Sequence, residues 1–246
     1  MLRRLGVVEG DTLFVHSSLD QFGAFLGKPA DVIAALREAV GVTGTVLMPT
    51  LPFQGSAVEY VRQARLFDVQ KTPSQMGLLT ELFRRLPGVI RSVHPTHPVA
   101  VWGTRASEMT ERHSAAATPC GRQSPYGRLL DYEGKILFLG TGIGVMTFFH
   151  TIEEILEPQM PFSAFTKAFF TLESRDQHGN LIVTQTRLFE PQYSRRRNLE
   201  KLVPFLKGRK WWHELRLGGM HAILLRADQV LRISEELAQR KVYCYD

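Results

Sequence analysis

A histidine followed by two carboxylates lies just after a glycine-rich turn in the middle of the chain. The segment 135–154 reads KILFLGTGIGVMTFFHTIEE, with Thr147 three residues before His150, and Glu153 and Glu154 three and four residues after it. On a helix, residues three or four apart share a face. A carboxylate bonded to one ring nitrogen of histidine fixes the tautomer and raises the basicity of the other nitrogen. The spacing therefore suits a general base, although taken alone it also suits an ordinary polar helix face.

The elements on either side of the turn indicate how these groups are positioned. Residues 136–139 form an unbroken apolar run, which is typical of a strand buried on both faces. Gly140, Gly142 and Gly144 come next, and glycine allows a positive φ and the close approach of another group. A helical pattern then begins near Val145. Ligands of open α/β sheets bind beyond the carboxyl ends of such strands.

The remaining elements predict the fold class. Further strands are expected at 12–15, 44–48, 99–102, 165–172, 181–188 and 221–225, and helices from Pro29, from the capping box 72–75, at 195–206 and at 228–238. The order strand, helix, strand near the start favours parallel packing. The turn 177–180 predicts a hairpin. We expect a single compact α/β domain over 1–246, with a mainly parallel central sheet flanked by helices and a more antiparallel C-terminal portion.

Composition and charge narrow the class of protein. Of 246 residues, 44% are hydrophobic and 22% charged, the balance of a soluble globular protein. The net charge of +6 raises the possibility of a nucleic-acid binder, but the basic residues are spread out. The clusters at 195–197 and 207–210 are typical of solvated faces. With no export signal or membrane span recognised and only two cysteines, Cys120 and Cys244, we expect a cytoplasmic protein with reduced thiols.

Other polar groups leave alternatives open. The turn 140–144 reads G-x-G-x-G, which is not the dinucleotide fingerprint. His94 and His97 lie on a loop that two prolines keep from forming a regular helix, and Glu111, Arg112 and His113 are expected to end a helix. Together with His150 and Glu153 they could hold a metal in a hydrolase, although their spacing matches no zinc motif. A non-catalytic CoA-binding module is a further alternative.

Taken in order, these segments resemble the aminoglycoside 3-N-acetyltransferase family, the antibiotic N-acetyltransferases that lack the Gcn5-related fold. The matching blocks are GDTLFVHSSLDQFG at 10–23, VIAALREAVGVTGTVLMPT at 32–50, TPSQMGLLTELFRRLPGVIRSVHPTHPVAVWG at 72–103, SPYGRLL at 124–130, and the segment around His150. The resemblance implies transfer of an acetyl group from acetyl-CoA to an amine through a ternary complex. It implies a cofactor and catalytic core at 1–157 and an acceptor-side portion at 158–246.

The resemblance also implies roles for individual residues. In the pattern T-x-x-H-x-x-E, His150 corresponds to the catalytic base, Glu153 to its orienting carboxylate, and Thr147 to a catalytic neighbour. The residues expected to receive the cofactor are His16, Ser17, Ser18, Leu19, Arg91, Ser92, His94 and His97. His113 and Glu154 are expected on the acceptor side. No metal is required.

The acceptor is less well defined. A site for polycationic aminoglycosides should be strongly acidic, whereas the C-terminal portion carries three consecutive arginines at 195–197. Pro98 stands where the family has a serine. We therefore expect a small-molecule amine acceptor, either an aminoglycoside or another amino sugar or metabolite amine, and no nucleic-acid or membrane partner. A homodimer is left open.

Overall fold

The computed structural model describes residues 1–23, 25–63 and 66–246. In these ranges the strands are β1 (Thr12–Ser17), β2 (Thr45–Pro49), β3 (Phe67–Asp68), β4 (Val89–Arg91), β5 (Val99–Gly103), β6 (Lys135–Leu139), β7 (Phe170–Arg175), β8 (Leu181–Thr186), β9 (His213–Leu217) and β10 (Met220–Arg226). The α-helices are α1 (Leu2–Leu5), α2 (Pro29–Val40), α3 (Ala57–Gln63), α4 (Leu78–Phe83), α5 (Ala106–Thr110), α6 (Phe149–Leu156), α7 (Pro191–Ser194), α8 (Val203–Gly208) and α9 (Ala227–Gln239).

Seven strands form the central sheet in the order β4-β5-β2-β1-β6-β10-β9. β1 pairs in parallel with β2 and with β6, and the four outer pairs are antiparallel. The predicted α/β class and the parallel centre of the sheet are confirmed. Parallel pairing is limited to β1, β2 and β6, because the outer strands pair antiparallel. Because β10 pairs with β6, the portion after residue 157 contributes to the same sheet as the portion before it.

The strands at the centre of this sheet are buried on both faces, as their unbroken apolar runs predict. Leu13 and Val15 of β1 pack with α2 and α4 on one face, while Phe14 packs with α5, α6 and α9 on the other. The same alternation holds along β6. Helices on both faces are what parallel strands require to exclude water.

The predicted hairpin is confirmed with shorter strands. β7 and β8 pair antiparallel from Phe170↔Thr186 to Arg175↔Leu181, and β3 adds a third strand to this second sheet. Residues 165–169 are not part of β7, although Phe165 forms an isolated bridge with Phe189. Phe165 and Phe189 flank the hairpin, and both side chains pack in the hydrophobic core on one face of the central sheet.

Two predicted helices begin later than their sequence patterns suggest. The capping box at 72–75 predicts a helix from Pro73, but α4 begins at Leu78 because Gly77 has φ of +102°. The Ser74 side chain instead accepts a hydrogen bond from the amide of Met76 and bonds the Thr80 hydroxyl. The helix expected from Val145 is a 3₁₀ turn at Ile143–Val145 followed by α6, so Thr147 lies before the helix.

The C-terminal helices differ from prediction in one case. The helix expected at 195–206 is replaced by a 3₁₀ turn at Leu199–Leu202 followed by α8, because residues 196–198 bond to the backbone of residues 244–246. The helix expected at 228–238 is confirmed as α9. His113 also departs from its expected position, since α5 ends at Thr110 and His113 opens a separate 3₁₀ turn.

Of the three glycines after β6, Gly140 is the one that the backbone requires. It has φ of +65°, and a Cβ there would lie 2.6 Å from the carbonyl oxygen of Ser18. Gly142 has φ of −106°, and its Cβ position is open.

We expect Gly140→Ala to lower the free energy of unfolding by about 2 kcal/mol or more, through backbone strain and displacement of Ser18. Urea denaturation measures this loss. Gly142→Ala is the matched control and should change stability by less than about 0.5 kcal/mol. Equal losses of stability in the two variants would contradict the conclusion that the backbone requires glycine at position 140 and not at position 142.

No helix in the described ranges is both long enough and apolar enough to cross a membrane.

Candidate active site

The predicted site residues converge on one edge of the central sheet. β1 ends at Ser17, β2 at Pro49 and β6 at Leu139, and their carboxyl ends meet at this edge because the three strands are parallel. The loop 92–98 returns to the same edge, where Pro49 pairs with Val99. α6 begins there too, after the turn that follows β6. The histidine-rich loop and the helix that carries His150 are thus brought together.

His150 pairs with Glu153 and not with Glu154. The distance from His150 Nδ1 to Glu153 Oε2 is 2.6 Å. Glu154 lies on another side of α6, where it accepts a hydrogen bond from the Thr118 hydroxyl, and burial raises the pKa of its carboxyl group. Because Glu153 is an acceptor, His150 Nδ1 carries the proton in this pair, and Nε2 is the nitrogen that can accept one.

Glu153 is bound by two residues that the sequence patterns did not identify. Arg197 Nε lies 2.7 Å from Oε1 and Nη2 lies 3.1 Å from Oε2, and the Tyr245 hydroxyl donates to Oε1. Burial opposes the charge on Glu153, but the charges of Arg197 and His150 outweigh it and lower the pKa of Glu153 to about 2. Arg197 belongs to the arginine cluster that sequence analysis interpreted as a solvated face. For Arg197 that interpretation is wrong, because its guanidinium is paired with a buried carboxylate.

The ring of His150 is largely enclosed. Phe189 stacks on it with ring centroids 3.8 Å apart, and the His97 ring meets it edge-on at 5.8 Å. Burial lowers the pKa of His150, the charge of Arg197 lowers it further, and Glu153 acts in the opposite direction. The net effect is downward, so the imidazole is neutral near pH 7 and is available to accept a proton. Phe189 gave no signal in the sequence, since it follows β8 far along the chain.

Three further histidines, His94, His97 and His113, form a buried cluster. The rings of His94 and His113 stack at 4.6 Å. His94 Nδ1 accepts hydrogen bonds from the amides of Thr96 and His97, and His113 bonds Ser92 Oγ and the Pro119 carbonyl. Burial lowers the pKa of all three, that of His113 to about 4. They remain neutral at pH 7 and hold the loop that places His97 beside His150.

Arg91 and Ser92, two of the residues expected to receive the cofactor, use their side chains for hydrogen bonds within the protein. The buried Arg91 guanidinium donates to Thr50 Oγ1 and to the carbonyls of Thr50, Val69 and Thr72, at 2.6–3.1 Å. Ser92 Oγ accepts the amide of Val99 as well as bonding His113. Ser92 therefore ties the start of the histidine loop to Val99 at its end, while the Arg91 guanidinium joins Thr50 to the segment 69–72. A direct role in binding stays a prediction.

The other residues expected to receive the cofactor lie at the end of β1. His16 is buried, with its ring 5.3 Å from that of Phe138, and its Nε2 has no hydrogen-bond partner in the described ranges. Ser17, Ser18 and Leu19 are partly exposed. Thr147, also partly exposed, stands at the start of α6, where its carbonyl accepts the amide of His150 at 3.1 Å.

A cleft of about 380 Å³ opens beside His150 and His97. Leu51, Phe53 and Phe189 form apolar walls. Glu59, Arg195 and Arg197 are its charged residues, and Glu59 lies 3.8 Å from Arg195. The cleft therefore carries no excess of acidic groups among the described residues.

The histidines and carboxylates do not form a recognisable metal site. Within residues 1–23, 25–63 and 66–246, no group of three or more His, Cys, Asp or Glu side chains is arranged to hold a metal ion. The neighbouring rings meet face to face or edge to face, as packed aromatic groups do.

The sequence is similar to a known protein family. The sequence model of a family described as "Aminoglycoside 3-N-acetyltransferase" matches residues 14–239. A curated relative, aminoglycoside N(3)-acetyltransferase III of Acinetobacter baumannii, is 34% identical over 168 residues, which cover 63% of this chain and 58% of the relative. The chain thus spans less than two thirds of the length of that relative.

Comparison with solved structures supports the same fold. The complex of AAC-IIIb with CoASH superimposes with a TM-score of 0.80 at 22% identity and covers 100% of this chain and 96% of that one. A histidine-to-alanine mutant of the aminoglycoside acetyltransferase AAC(3)-IVa, in complex with a gentamicin, gives a TM-score of 0.78 at 25% identity, with 98% and 86% covered. The first likeness shows the fold alone.

Proposed function

Because the chain belongs to the aminoglycoside 3-N-acetyltransferase family, we propose that it transfers an acetyl group from acetyl-CoA to an amine of an aminoglycoside or a related amino sugar. The observation that carries this proposal is the His150–Glu153 pair beside an open cleft. A neutral imidazole whose Nδ1 is bound to a carboxylate presents Nε2 as a base. Attack on a thioester needs such a base, since a protonated amine has no free electron pair.

The proposed mechanism is direct transfer with both substrates bound. His150 Nε2 removes a proton from the acceptor ammonium, and Glu153 stabilises the imidazolium that forms. The freed amine attacks the acetyl carbonyl and a C–N bond forms. The C–S bond then breaks, and the departing CoA thiolate takes up the proton that the attacking nitrogen loses as the amide forms. The imidazolium releases its proton to solvent, so the products are the amide, CoASH and one proton. The walls of the cleft hold the acceptor against the thioester, and such positioning supplies much of the rate enhancement.

The developing oxyanion needs hydrogen-bond donors near the end of β1. The amide of Ser18 already donates to the Leu139 carbonyl at 2.9 Å. The hydroxyls of Ser17, Ser18 and Thr147, all on partly exposed residues, remain as candidates. One such donor is typically worth about 3–4 kcal/mol in the transition state.

Acetyl-CoA would lie along the same edge and supply the acetyl group as a thioester. Ser17, Ser18 and Leu19 are partly exposed there, and the Cβ positions of Gly142 and Gly144 have open space around them. An extended thioester arm fits a surface of small residues and hydroxyls. We assign its binding to this stretch, with His97 at the inner end beside the base.

The charge of the cleft bears on the acceptor. Glu59 is offset by Arg195, and Glu153 is neutralised by Arg197. A polycation gains little binding energy from a cleft whose acidic groups are each offset by an arginine. Amino sugars with few amines therefore belong in any test beside the aminoglycosides.

Isothermal titration of the purified protein with acetyl-CoA tests the proposal first, with free acetate and ATP as controls. We expect saturable binding that is selective for acetyl-CoA. Thiol release is then measured with a panel of aminoglycosides, amino-sugar nucleotides and simple amines. Folded protein that binds no acetyl-CoA would overturn the proposal, and elemental analysis would then test the metal-hydrolase alternative.

A further inference from the structure

The carboxylate that orients His150 is itself held on three sides. Glu153 is 1% exposed, and a carboxylate buried to that degree is costly unless it is paired and hydrogen-bonded. His150 takes one contact of Oε2, while Arg197 bonds both oxygens and Tyr245 donates to Oε1. Its position is therefore determined by residues from three separate parts of the chain.

Arg197 contributes a paired contact that a lysine could not reproduce. Its Nε donates to Oε1 of Glu153 at 2.7 Å, and its Nη2 donates to Oε2 at 3.1 Å. This two-point contact fixes the plane of the carboxylate as well as its distance. The orientation of Oε2 toward His150 Nδ1 follows from that plane.

The segment 243–246 brings Tyr245 to the same carboxylate. Arg197 and Tyr245 form an antiparallel backbone bridge, with further bonds from the amide of Asn198 to the Cys244 carbonyl and from that of Asp246 to the Arg196 carbonyl, at 2.8 and 2.9 Å. Burial raises the pKa of Tyr245, and Glu153 raises it further. The phenol is therefore protonated and donates its hydrogen bond at every pH in the working range.

From this geometry we propose that Arg197 and Tyr245 are positioning residues for the base. They hold the Glu153 carboxylate in the orientation that keeps His150 Nδ1 protonated and His150 Nε2 free toward the cleft. This inference rests on the proposed function, in which His150 is the base. Neither residue needs to touch a substrate for the role to hold.

Every charged or titratable group around the pair bears on how His150 titrates. Glu153 faces it from its own helix, while His97 meets its ring from the loop 92–98. The cation of Arg197 comes from the segment before α8, and the Tyr245 hydroxyl and the Cys244 thiol come from the segment 243–246. Cys120 is a further described group near the Glu153 charge. Arg197 is the cation whose charge lowers the pKa of His150, so its removal should have a clear effect.

The expected shift has a definite sign. The Arg197 charge lowers the pKa of His150 and offsets Glu153, which raises it. In Arg197→Met the cation that lowers the pKa is lost, and the Glu153 charge that raises the pKa is no longer offset. We therefore expect the pKa of His150 to rise by about one unit. The acidic limb of the kcat/KM profile then moves to higher pH by the same amount. Arg197→Lys keeps the charge and loses the two-point contact, so the limb should stay while kcat falls about tenfold to a hundredfold.

The experiment follows the imidazole of His150 by NMR titration, without substrates, in the wild type and in Arg197→Met, Arg197→Lys and Tyr245→Phe. Tyr245→Phe should leave the titration nearly in place and lower kcat by about tenfold or more. Arg216→Met, which removes an exposed arginine on the edge strand β9, is the control for loss of one charge and should not move the His150 titration. Thermal melts establish that each variant is folded.

The outcomes separate the two proposals. An unchanged His150 titration in folded Arg197→Met overturns the positioning role, as does wild-type turnover in both Arg197→Lys and Tyr245→Phe. If Arg197→Met does not fold, those two variants decide. A shifted His150 titration in a protein that acetylates no amine would reject the proposed function, and with it the role of Arg197 and Tyr245 in positioning a base, while still showing that Arg197 controls the ionisation of His150.

Discussion

Replacing His150 with alanine is expected to reduce acetyl transfer about 10³-fold or more while acetyl-CoA still binds. The His150 imidazole lies beside the cleft with its Nδ1 bonded to Glu153, and no described residue bonds its Nε2. General-base catalysis contributes about 10² to 10⁴ in rate. The side chain is only partly exposed and its loss removes the stacked contact with Phe189, so a small loss of stability should accompany the change. Steady-state kinetics and calorimetric titration measure the two expected results separately.

His178→Ala is the control for this change. His178 is exposed on the β7–β8 hairpin, so its removal tests the loss of an imidazole away from the site. His150→Gln keeps a polar side chain without a comparable base and should be as inactive as the alanine variant. Turnover near that of the wild type in either His150 variant would end the assignment of the base.

Glu153→Gln is expected to lower kcat by about 10² to 10⁴ and to destabilise the protein. The amide cannot stabilise an imidazolium as a carboxylate does, and it presents a donor as well as an acceptor to His150 Nδ1. The change also leaves Arg197 with no counter-charge in a buried position, and breaking such a pair typically costs about 3–5 kcal/mol. Kinetics and urea denaturation at pH 7 measure both losses.

The stability difference between wild type and Glu153→Gln should depend on pH in a definite direction. The pKa of Glu153 is lowered from 4.5 to about 2 in the folded protein, so its stabilising contribution is present above the unfolded pKa and is lost as the pH falls through about 2. A lowering of this size corresponds to about 3 kcal/mol. The gap between the two proteins should therefore narrow on acidification from about pH 5.

Glu154→Gln is the matched control at the next helical position. Glu154 bonds Thr118 and burial raises its pKa, so its charge contributes no such stabilisation at neutral pH. We expect a far smaller loss of kcat. Because the pKa of Glu154 is raised in the folded protein, acidification should stabilise the wild type relative to Glu154→Gln, the opposite of the trend at Glu153. Equal effects at both positions would contradict the pairing of His150 with Glu153.

Local patterns were sufficient to predict much of the scaffold. The apolar runs of β1 and β6 predicted buried strands because a strand enclosed on both faces has no polar side, and the structure confirms both. The turn 177–180 predicted the hairpin, since hairpin pairing is decided within a few residues. The capping box failed as a start signal because Gly77 takes a positive φ and the helix begins beyond it.

The amino-acid sequence by itself determined the spacing of His150 and Glu153, and with it an imidazole and a carboxylate on one turn of helix. Tertiary structure alone decided that Glu153 is the partner, and it supplied Arg197 from 44 residues away and Tyr245 from 92 residues away. The physical reason is that helical spacing places both glutamates near His150, whereas only packing decides which carboxylate is buried. A buried carboxylate needs a cation and hydrogen-bond donors, and these come from residues that only the tertiary fold places beside it.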